Sequence, residues 1–215
     1  MKLLLQFKNQ RWSQIFTIYL RYLIGGAMVF AAIGKMEGHR FMNGDGAHSP
    51  IDSAWHYFET MYRSGIYWQF VGWGQFLTGM VLMTQRYATL GAVMLLPISA
   101  NIFVITISYA FNGTPFITGL ILLGNIFLLL WDLPRLLIAF GAAQPNEIYK
   151  APVYLPYFSQ PLWTGLGILI FLTTVGLVLS PIKNTMLIWL CACLAEGLIG
   201  LIISLRFTRS SKIKS

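Results

Sequence analysis

Residues 87–131 read YATLGAVMLLPISANIFVITISYAFNGTPFITGLILLGNIFLLLW and contain no Lys, Arg, Asp or Glu. A helix of about 20 predominantly apolar residues can cross the hydrocarbon core of a bilayer, so this stretch has room for two crossings. Its middle is interrupted by Asn112, Gly113 and Pro115, which are poor helix-interior residues and common turn residues. The stretch therefore predicts two antiparallel transmembrane helices joined by a short turn.

The composition of the whole chain is typical of a membrane protein. Of its 215 residues, 56% are hydrophobic and 10% are charged, and the mean hydropathy is +0.65. A soluble domain usually carries about 25% charged residues. Pro, Gly, Asn and charged residues divide the apolar sequence into six candidate spans, at residues 14–34, 67–83, 87–110, 115–131, 162–179 and 185–205. The predicted fold class is an all-α, polytopic transmembrane helix bundle of about six helices.

Connection lengths predict how these helices are organised. Residues 1–132 hold four spans, which we expect to form a four-helix membrane core that includes an outer loop at residues 35–65. Residues 133–161 are rich in proline and predict an irregular cytoplasmic or interfacial linker. Residues 162–215 then provide two further transmembrane helices and a basic C-terminal tail.

The distribution of Lys and Arg predicts the orientation of the chain. With six spans, eleven of the fifteen basic residues fall on one side, and the other side receives Lys35, Arg40, Arg63 and Lys183. The side rich in Lys and Arg is normally cytoplasmic. We therefore expect a multi-pass protein of the plasma (inner) membrane with both termini in the cytoplasm. The net charge of +8 is then explained by topology and by attraction to anionic lipids, and nucleic acid is not an expected partner.

Titratable side chains are concentrated in the outer loop. All three histidines and four of the seven acidic residues lie within residues 37–59. Ser49 and Pro50 predict a helix start, with Ser49 as the cap, and the helix is expected to reach Arg63. In this segment the apolar residues recur at intervals of three and four, and the polar residues do the same one position later, so each set would form its own stripe along a helix. The pattern predicts an amphipathic helix on the outer membrane surface.

The polar stripe of this helix is the candidate catalytic site. His56, hydrogen-bonded to Asp52 or Glu59, could transfer a proton near neutral pH. The alternative interpretation is an interfacial helix whose polar side faces water. Side chains that could surround an apolar ligand beside this stripe are Trp55, Phe58, Tyr62, Tyr67, Trp68 and Gln75. No metal site is predicted, because the histidines and acids do not follow a zinc-binding spacing.

A few ionisable or thiol side chains lie inside the predicted spans. Arg21 is expected either to pair with Asp132 at the cytoplasmic end of the bundle or to reach towards the lipid head groups. Glu196, near the middle of the last span, is expected to face protein, a water-filled cavity or a partner subunit. Cys191 and Cys193 are two residues apart and therefore lie on different helix faces, so they do not form a thiol-oxidoreductase Cys-x-x-Cys pair.

The first 132 residues resemble the DoxX-like family of bacterial integral membrane proteins. The resemblance rests on the segments RYLIGG at 21–26, GKM at 34–36, GWGQFLTG at 72–79, RYA at 86–88 and WD at 131–132. Family members often have an acidic residue at the position of Gln75. The last two predicted helices fall outside the family pattern, and family members with redox-active cysteine pairs have no counterpart here.

The resemblance implies two classes of function. The family is named for a membrane subunit of a thiosulfate:quinone oxidoreductase, so one hypothesis is a redox-associated subunit that interacts with a quinone near His56. Its wider superfamily includes cargo receptors and assembly chaperones. The second hypothesis is therefore a non-catalytic scaffold, assembly factor or chaperone that docks a membrane or periplasmic protein through the outer loop. A solute transporter is a weaker third hypothesis, because paired broken helices are not evident.

Overall fold

The computed structural model describes residues 7–40, 44–142, 161–182 and 184–213, the last eight of them by backbone only. All regular secondary structure within these ranges is helical. In chain order the main helices are α1 (Arg11–Met36), α2 (Ala54–Arg63), α3 (Ile66–Met83), α4 (Ala88–Ser108), α5 (Thr114–Trp131), α6 (Leu133–Ala139), α7 (Pro161–Val178) and α8 (Thr185–Ile213).

Five helices in the described part of the chain are long and apolar enough to cross a membrane. They are α1, α4, α5, α7 and the segment Thr185–Leu205 of α8. The chain is therefore an all-α, multi-pass helical membrane protein, which confirms the predicted fold class. Helix α3 forms where the second span, residues 67–83, is predicted and has 18 residues, but Gln69 and Gln75 lower its hydropathy. The crossing by α3 stays a prediction.

Helix α3 packs antiparallel along α1, with glycines at the contact. A Cβ atom added to Gly79 would lie 2.6 Å from the carbonyl oxygen of Gly25, so the two backbones touch here. Further along, a Cβ atom on Gly72 would lie 3.1 Å from the carbonyl oxygen of Ala32. Residue 79 opposes residue 25, and residue 72 opposes residue 32. Helix α3 therefore lies alongside α1 in the opposite direction.

Helix α1 is the central helix of the bundle, and it contributes residues to two separate hydrophobic clusters. The first cluster joins α1 and α3 to α7 and includes Ile18, Tyr22, Val29, Ile33, Met83, Trp163, Leu166 and Ile170. The second joins them to α4 and α5 and includes Ile24, Met28, Leu82, Ala92, Leu95 and Leu128. Because both clusters include residues of α1 and α3, helix α7 shares a core with α1, α3, α4 and α5.

The contacts of α7 and α8 also define their direction. The Tyr22 hydroxyl donates to the carbonyl oxygen of Trp163, near the start of α7. The Tyr19 hydroxyl donates to the carbonyl oxygen of Gly197, in the second half of the segment Thr185–Leu205 of α8, at 2.5 Å. Near the start of α8, the ring of Trp189 packs on Phe30, with the ring centroids 4.9 Å apart. Helix α7 is therefore parallel to α1 and α8 antiparallel, so α1 begins and the last span ends at the same end of the bundle.

One predicted boundary is wrong. The amphipathic helix begins at Ala54, and its cap is Ser53, whose side chain accepts a hydrogen bond from the His56 N–H. The predicted cap Ser49 lies outside the helix, because the Ser53 N–H and hydroxyl both bond to the Pro50 carbonyl oxygen in a preceding turn. The linker begins with the regular helix α6, whereas residues 143–160 of the predicted linker lie outside the described residues.

Candidate functional site

The segment between α1 and α3, residues 37–40 and 44–65 with α2, forms a cap at one end of the bundle, and Glu59 holds this cap together. The Glu59 carboxylate accepts hydrogen bonds from Arg40 Nε at 2.9 Å, Arg40 Nη2 at 3.0 Å and Arg63 Nε at 2.8 Å. Arg63 also lies 3.4 Å from the carboxylate of Asp45. The Arg40 and Arg63 guanidinium groups hold the pKa of Glu59 down at about 2. Glu59 is therefore ionised at neutral pH and fastens the cap.

The predicted hydrogen bond between His56 and Asp52 or Glu59 is not formed. His56 Nδ1 instead lies 3.2 Å from the carbonyl oxygen of Ser49, which accepts a hydrogen bond from it. Glu59 is engaged by the two arginines, and Asp52 is exposed. No group of three His, Cys, Asp or Glu side chains is placed to hold a metal in the described ranges. The structure thus separates the three residues proposed for proton transfer, because tertiary ion pairs compete for Glu59.

The polar stripe of α2 also does not simply face water. Glu59 belongs to that stripe but is buried, whereas Trp55 belongs to the apolar stripe and is 48% exposed. Burial of Glu59 is possible because its charge is balanced by two guanidinium groups that remain partly exposed. The helix is therefore amphipathic in sequence, but ion pairing decides which of its faces packs inward.

Two of the predicted ligand-binding residues are engaged near the C-terminal end of α1. Trp68 is 1% exposed, and its indole N–H donates to the carbonyl oxygen of His39 at 2.8 Å. The Lys35 ammonium group lies 5.4 Å from the centre of the same ring. The Tyr62 ring packs against the Arg40 guanidinium group at 4.8 Å. Trp68 thus joins the cap to the bundle, and Tyr62 packs within the cap.

Aromatic contacts hold the cap on the turn between α4 and α5. Phe58 packs edge-on against Phe111, with ring centroids 5.7 Å apart. Tyr57 packs against Tyr109 at 4.7 Å. The predicted ligand-binding residue Phe58 therefore contributes to packing. The sequence does not identify this contact in advance, because its partners lie about 50 residues away along the chain.

The remaining predicted ligand-binding residues have different environments. Gln75 is buried, and its side-chain amide donates to Met28 Sδ at 3.9 Å, between α3 and α1. Trp55 and Tyr67 are about half exposed. The predicted ligand-binding residues thus have different partners, and Trp55 and Tyr67 are the two whose rings are about half exposed at the surface.

The predicted ion pair at the opposite end of the bundle is confirmed. Arg21 Nη2 lies 2.9 Å from Asp132 Oδ2, and both residues are buried, with exposed fractions of 1% and 3%. Arg21 also donates to Gln85 Oε1 at 3.1 Å, and Thr89 Oγ1 donates to Asp132 Oδ2 at 2.9 Å. Sequence analysis missed Gln85 and Thr89. The positive φ of Gln85, 59°, marks a constrained turn between α3 and α4 that this network stabilises.

Glu196 faces protein, which is one of the three environments predicted for it. The hydroxyl of Thr173 on α7 donates to Glu196 Oε1 at 2.5 Å. Two turns earlier on α8, the indole N–H of Trp189 donates to Thr174 Oγ1 at 2.9 Å. These bonds join α7 to α8. Cys191 and Cys193 are free thiols.

Comparisons with known proteins identify no relative. No protein-family model matches the chain. No curated protein and no solved structure matches it either.

Proposed function

We propose that this chain is a non-catalytic scaffold of a membrane protein assembly, which docks a partner protein through its outer cap. The observation that supports this is that the cap is fixed by the ion pairs of Glu59 and exposes apolar side chains at its surface. Ile51 is 82% exposed and Trp55 is 48% exposed, while Glu59 of the same cap is held by two arginines. A fixed surface with an accessible tryptophan is typical of the anchoring residues of protein interfaces.

The engagement of the predicted catalytic groups also favours a scaffold. The charge of the Glu59 carboxylate is balanced by Arg40 and Arg63, which lower its pKa, so Glu59 is a poor proton acceptor at neutral pH. Trp68 is enclosed between the cap and the bundle and is not free to contact a ligand ring. A docking function requires neither group, whereas a proton-coupled reaction at this site would require at least one titratable partner for His56.

Photo-crosslinking in cells tests the scaffold proposal. A photoactivatable residue at position 51 should form one discrete protein adduct, because the partner would lie on the cap. The same residue at position 86, in the exposed turn at the opposite end, is the matched control and should not form that adduct. The substitution Trp55→Ser should weaken the adduct from position 51 at least several-fold. Equal adducts from both positions, or an adduct indifferent to Trp55→Ser, would contradict docking at the cap.

We further propose the plasma membrane as the location, with the cap outside and both termini in the cytoplasm. The excess of Lys and Arg at the opposite end supports this orientation. Single cysteines introduced as Asp52→Cys and Arg86→Cys test it, with the native chain as the control for Cys191 and Cys193. A membrane-impermeant maleimide should label intact cells at position 52 and leave position 86 unlabelled until the cells are lysed. The reverse result would invert the orientation.

A redox-associated, quinone-interacting subunit of the DoxX-like type is the second candidate. It is favoured by the accessible rings of Trp55 and Tyr67 at the outer end, which an apolar ring could contact. Organic extraction of the purified protein, with quinone measured per protein against an unrelated membrane protein prepared identically, distinguishes the two candidates. Near-stoichiometric quinone that decreases in Trp55→Ala and His56→Ala would support the quinone-interacting subunit over the scaffold. Quinone at the background level would contradict the redox hypothesis.

A further inference from the structure

The residues that precede α1 fold back against the end of the bundle opposite the cap. The side-chain amide of Gln14 donates to the carbonyl oxygen of Lys8 at 2.7 Å. The ring of Phe7 packs edge-on against Trp131 at the end of α5, with centroids 6.0 Å apart. The Lys8 side chain is drawn in by these contacts: only 5% of the residue is exposed, and its ammonium group lies 5.5 Å from the centre of the Trp131 ring.

Among the described residues at this end of the bundle, three basic side chains lie around one carboxylate. Lys8, Arg21 and Arg135 all interact electrostatically with Asp132. Asp132 already accepts from Arg21 at 2.9 Å and from Thr89, and Arg135 Nη1 lies 3.7 Å from its other oxygen. In the described part of the chain, three positive charges thus lie near one negative charge, and two of the three, Lys8 and Arg21, are on buried side chains.

The Lys8 ammonium group has no hydrogen-bond acceptor among the described residues. Its interactions there are the Trp131 ring and the charges of Asp132, Arg135 and Arg21. Burial lowers the pKa of Lys8 to about 8, which reflects the cost of keeping the charge there without a bonded anion. A lysine ammonium group carries three N–H donors, so Lys8 can donate to the oxygens of a bound ligand.

We propose that Lys8 and Arg135 bind a phosphate group, supplied by the head group of an anionic phospholipid. Arg135 is suited to this because half of its side chain is exposed, so a ligand at the surface can reach it. Phosphate oxygens accept strong charge-assisted hydrogen bonds from both lysine and arginine. The site lies where α1 begins and α5 ends, at the level at which lipid head groups meet a spanning helix. A soluble phosphate has the same recognition chemistry.

Lipid retention by the full-length purified protein tests the site. The protein is exchanged from a mixture of phosphatidylglycerol and phosphatidylcholine into lipid-free detergent, and retained lipid is counted by mass spectrometry. The native chain should retain phosphatidylglycerol in preference. Lys8→Gln and Arg135→Gln should each reduce that retention about tenfold, as expected for the loss of one charge-assisted hydrogen bond. Arg86→Gln removes an exposed charge at the same end, outside the site, and should leave retention unchanged.

Two further measurements complete the test. Lys8→Arg keeps the charge and should retain most of the lipid, which separates loss of binding from loss of folding. Inorganic phosphate added to delipidated protein should raise the Tm of the native chain and not that of Lys8→Gln. A phosphate effect without lipid preference would support the phosphate site and assign it to a soluble ligand. Equal losses in Lys8→Gln and Arg86→Gln, or no response to either lipid or phosphate, would overturn the proposal.

Discussion

Removing one partner of the buried Arg21–Asp132 pair should strongly destabilise the bundle. The two side chains are 2.9 Å apart and almost fully buried, so neither charge can be solvated when the other is lost. Breaking such a pair from one side typically costs about 3–5 kcal/mol, because an uncompensated charge stays buried. We expect Asp132→Asn to lower the free energy of unfolding by about 3 kcal/mol, since asparagine keeps the shape and some hydrogen bonding of the site.

A double substitution separates the charge effect from a simple loss of packing. Arg21→Met alone should destabilise by a similar amount, because it leaves Asp132 buried beside Thr89 with one guanidinium group fewer. Arg21→Met combined with Asp132→Leu removes both charges and their desolvation cost. Replacing a buried pair by apolar residues of similar volume is often close to neutral. We therefore expect the double variant to lie within about 2 kcal/mol of the native chain.

The assay is equilibrium unfolding of the purified protein in mixed micelles, followed by far-ultraviolet circular dichroism. The native chain, Arg21→Met, Asp132→Leu and the double variant form a double-mutant cycle, and Asp132→Asn is measured beside them. Asp52→Asn, which removes an exposed acid, is the control and should change the free energy of unfolding by less than about 0.5 kcal/mol. A double variant as unstable as the sum of the two single variants would refute the reasoning, as would an Asp132→Asn change below about 1 kcal/mol.

Three other predictions concern the cap and the helix contacts. Because the folded pKa of Glu59 is about 2, below its ordinary value of 4.5, its stabilisation of the cap should be complete above pH 4.5 and lost as the pH falls towards 2; limited proteolysis of the cap across this range measures it, and Glu59→Gln should remove the dependence. Gly167→Ala should lower the free energy of unfolding by about 1–3 kcal/mol because the new methyl group would collide with the backbone of α3, whereas Gly165→Ala, which has open space, should be nearly neutral in the same thermal unfolding experiment. Trp68→Phe should destabilise by about 1 kcal/mol through loss of the indole hydrogen bond, and Trp55→Phe, at an exposed ring, should not; unfolding in mixed micelles compares them.

The membrane helices were predictable because their signal is local. An apolar stretch long enough to cross a bilayer must satisfy its backbone hydrogen bonds within itself, so composition alone predicts a helix. The predicted span at residues 115–131 and helix α5, Thr114–Trp131, differ by one residue. The last helix was predicted to end at residue 205 and continues to Ile213, because a polar sequence can extend a helix beyond the bilayer.

The ion pairs were predictable to different degrees. Arg21 and Asp132 were paired correctly because charges inside a bundle have few possible partners. Glu59 and Arg63 are four residues apart on one helix, a spacing that indicates an ion pair. Arg40 was not assigned to Glu59, because the loop that brings it there has no regular periodicity. The resulting competition for Glu59 is what removes it from the predicted site at His56.

The sequence by itself determined the class of protein, the helices and the end of the bundle at which titratable residues collect. These properties follow from hydropathy and from the cost of burying charge, both of which are set residue by residue. Only the tertiary structure decided that α1 is the central helix, that Glu59 fastens the cap, and that Lys8 is buried beside Trp131. Such contacts join residues far apart in the chain, and their energies depend on distances and burial that no local pattern specifies.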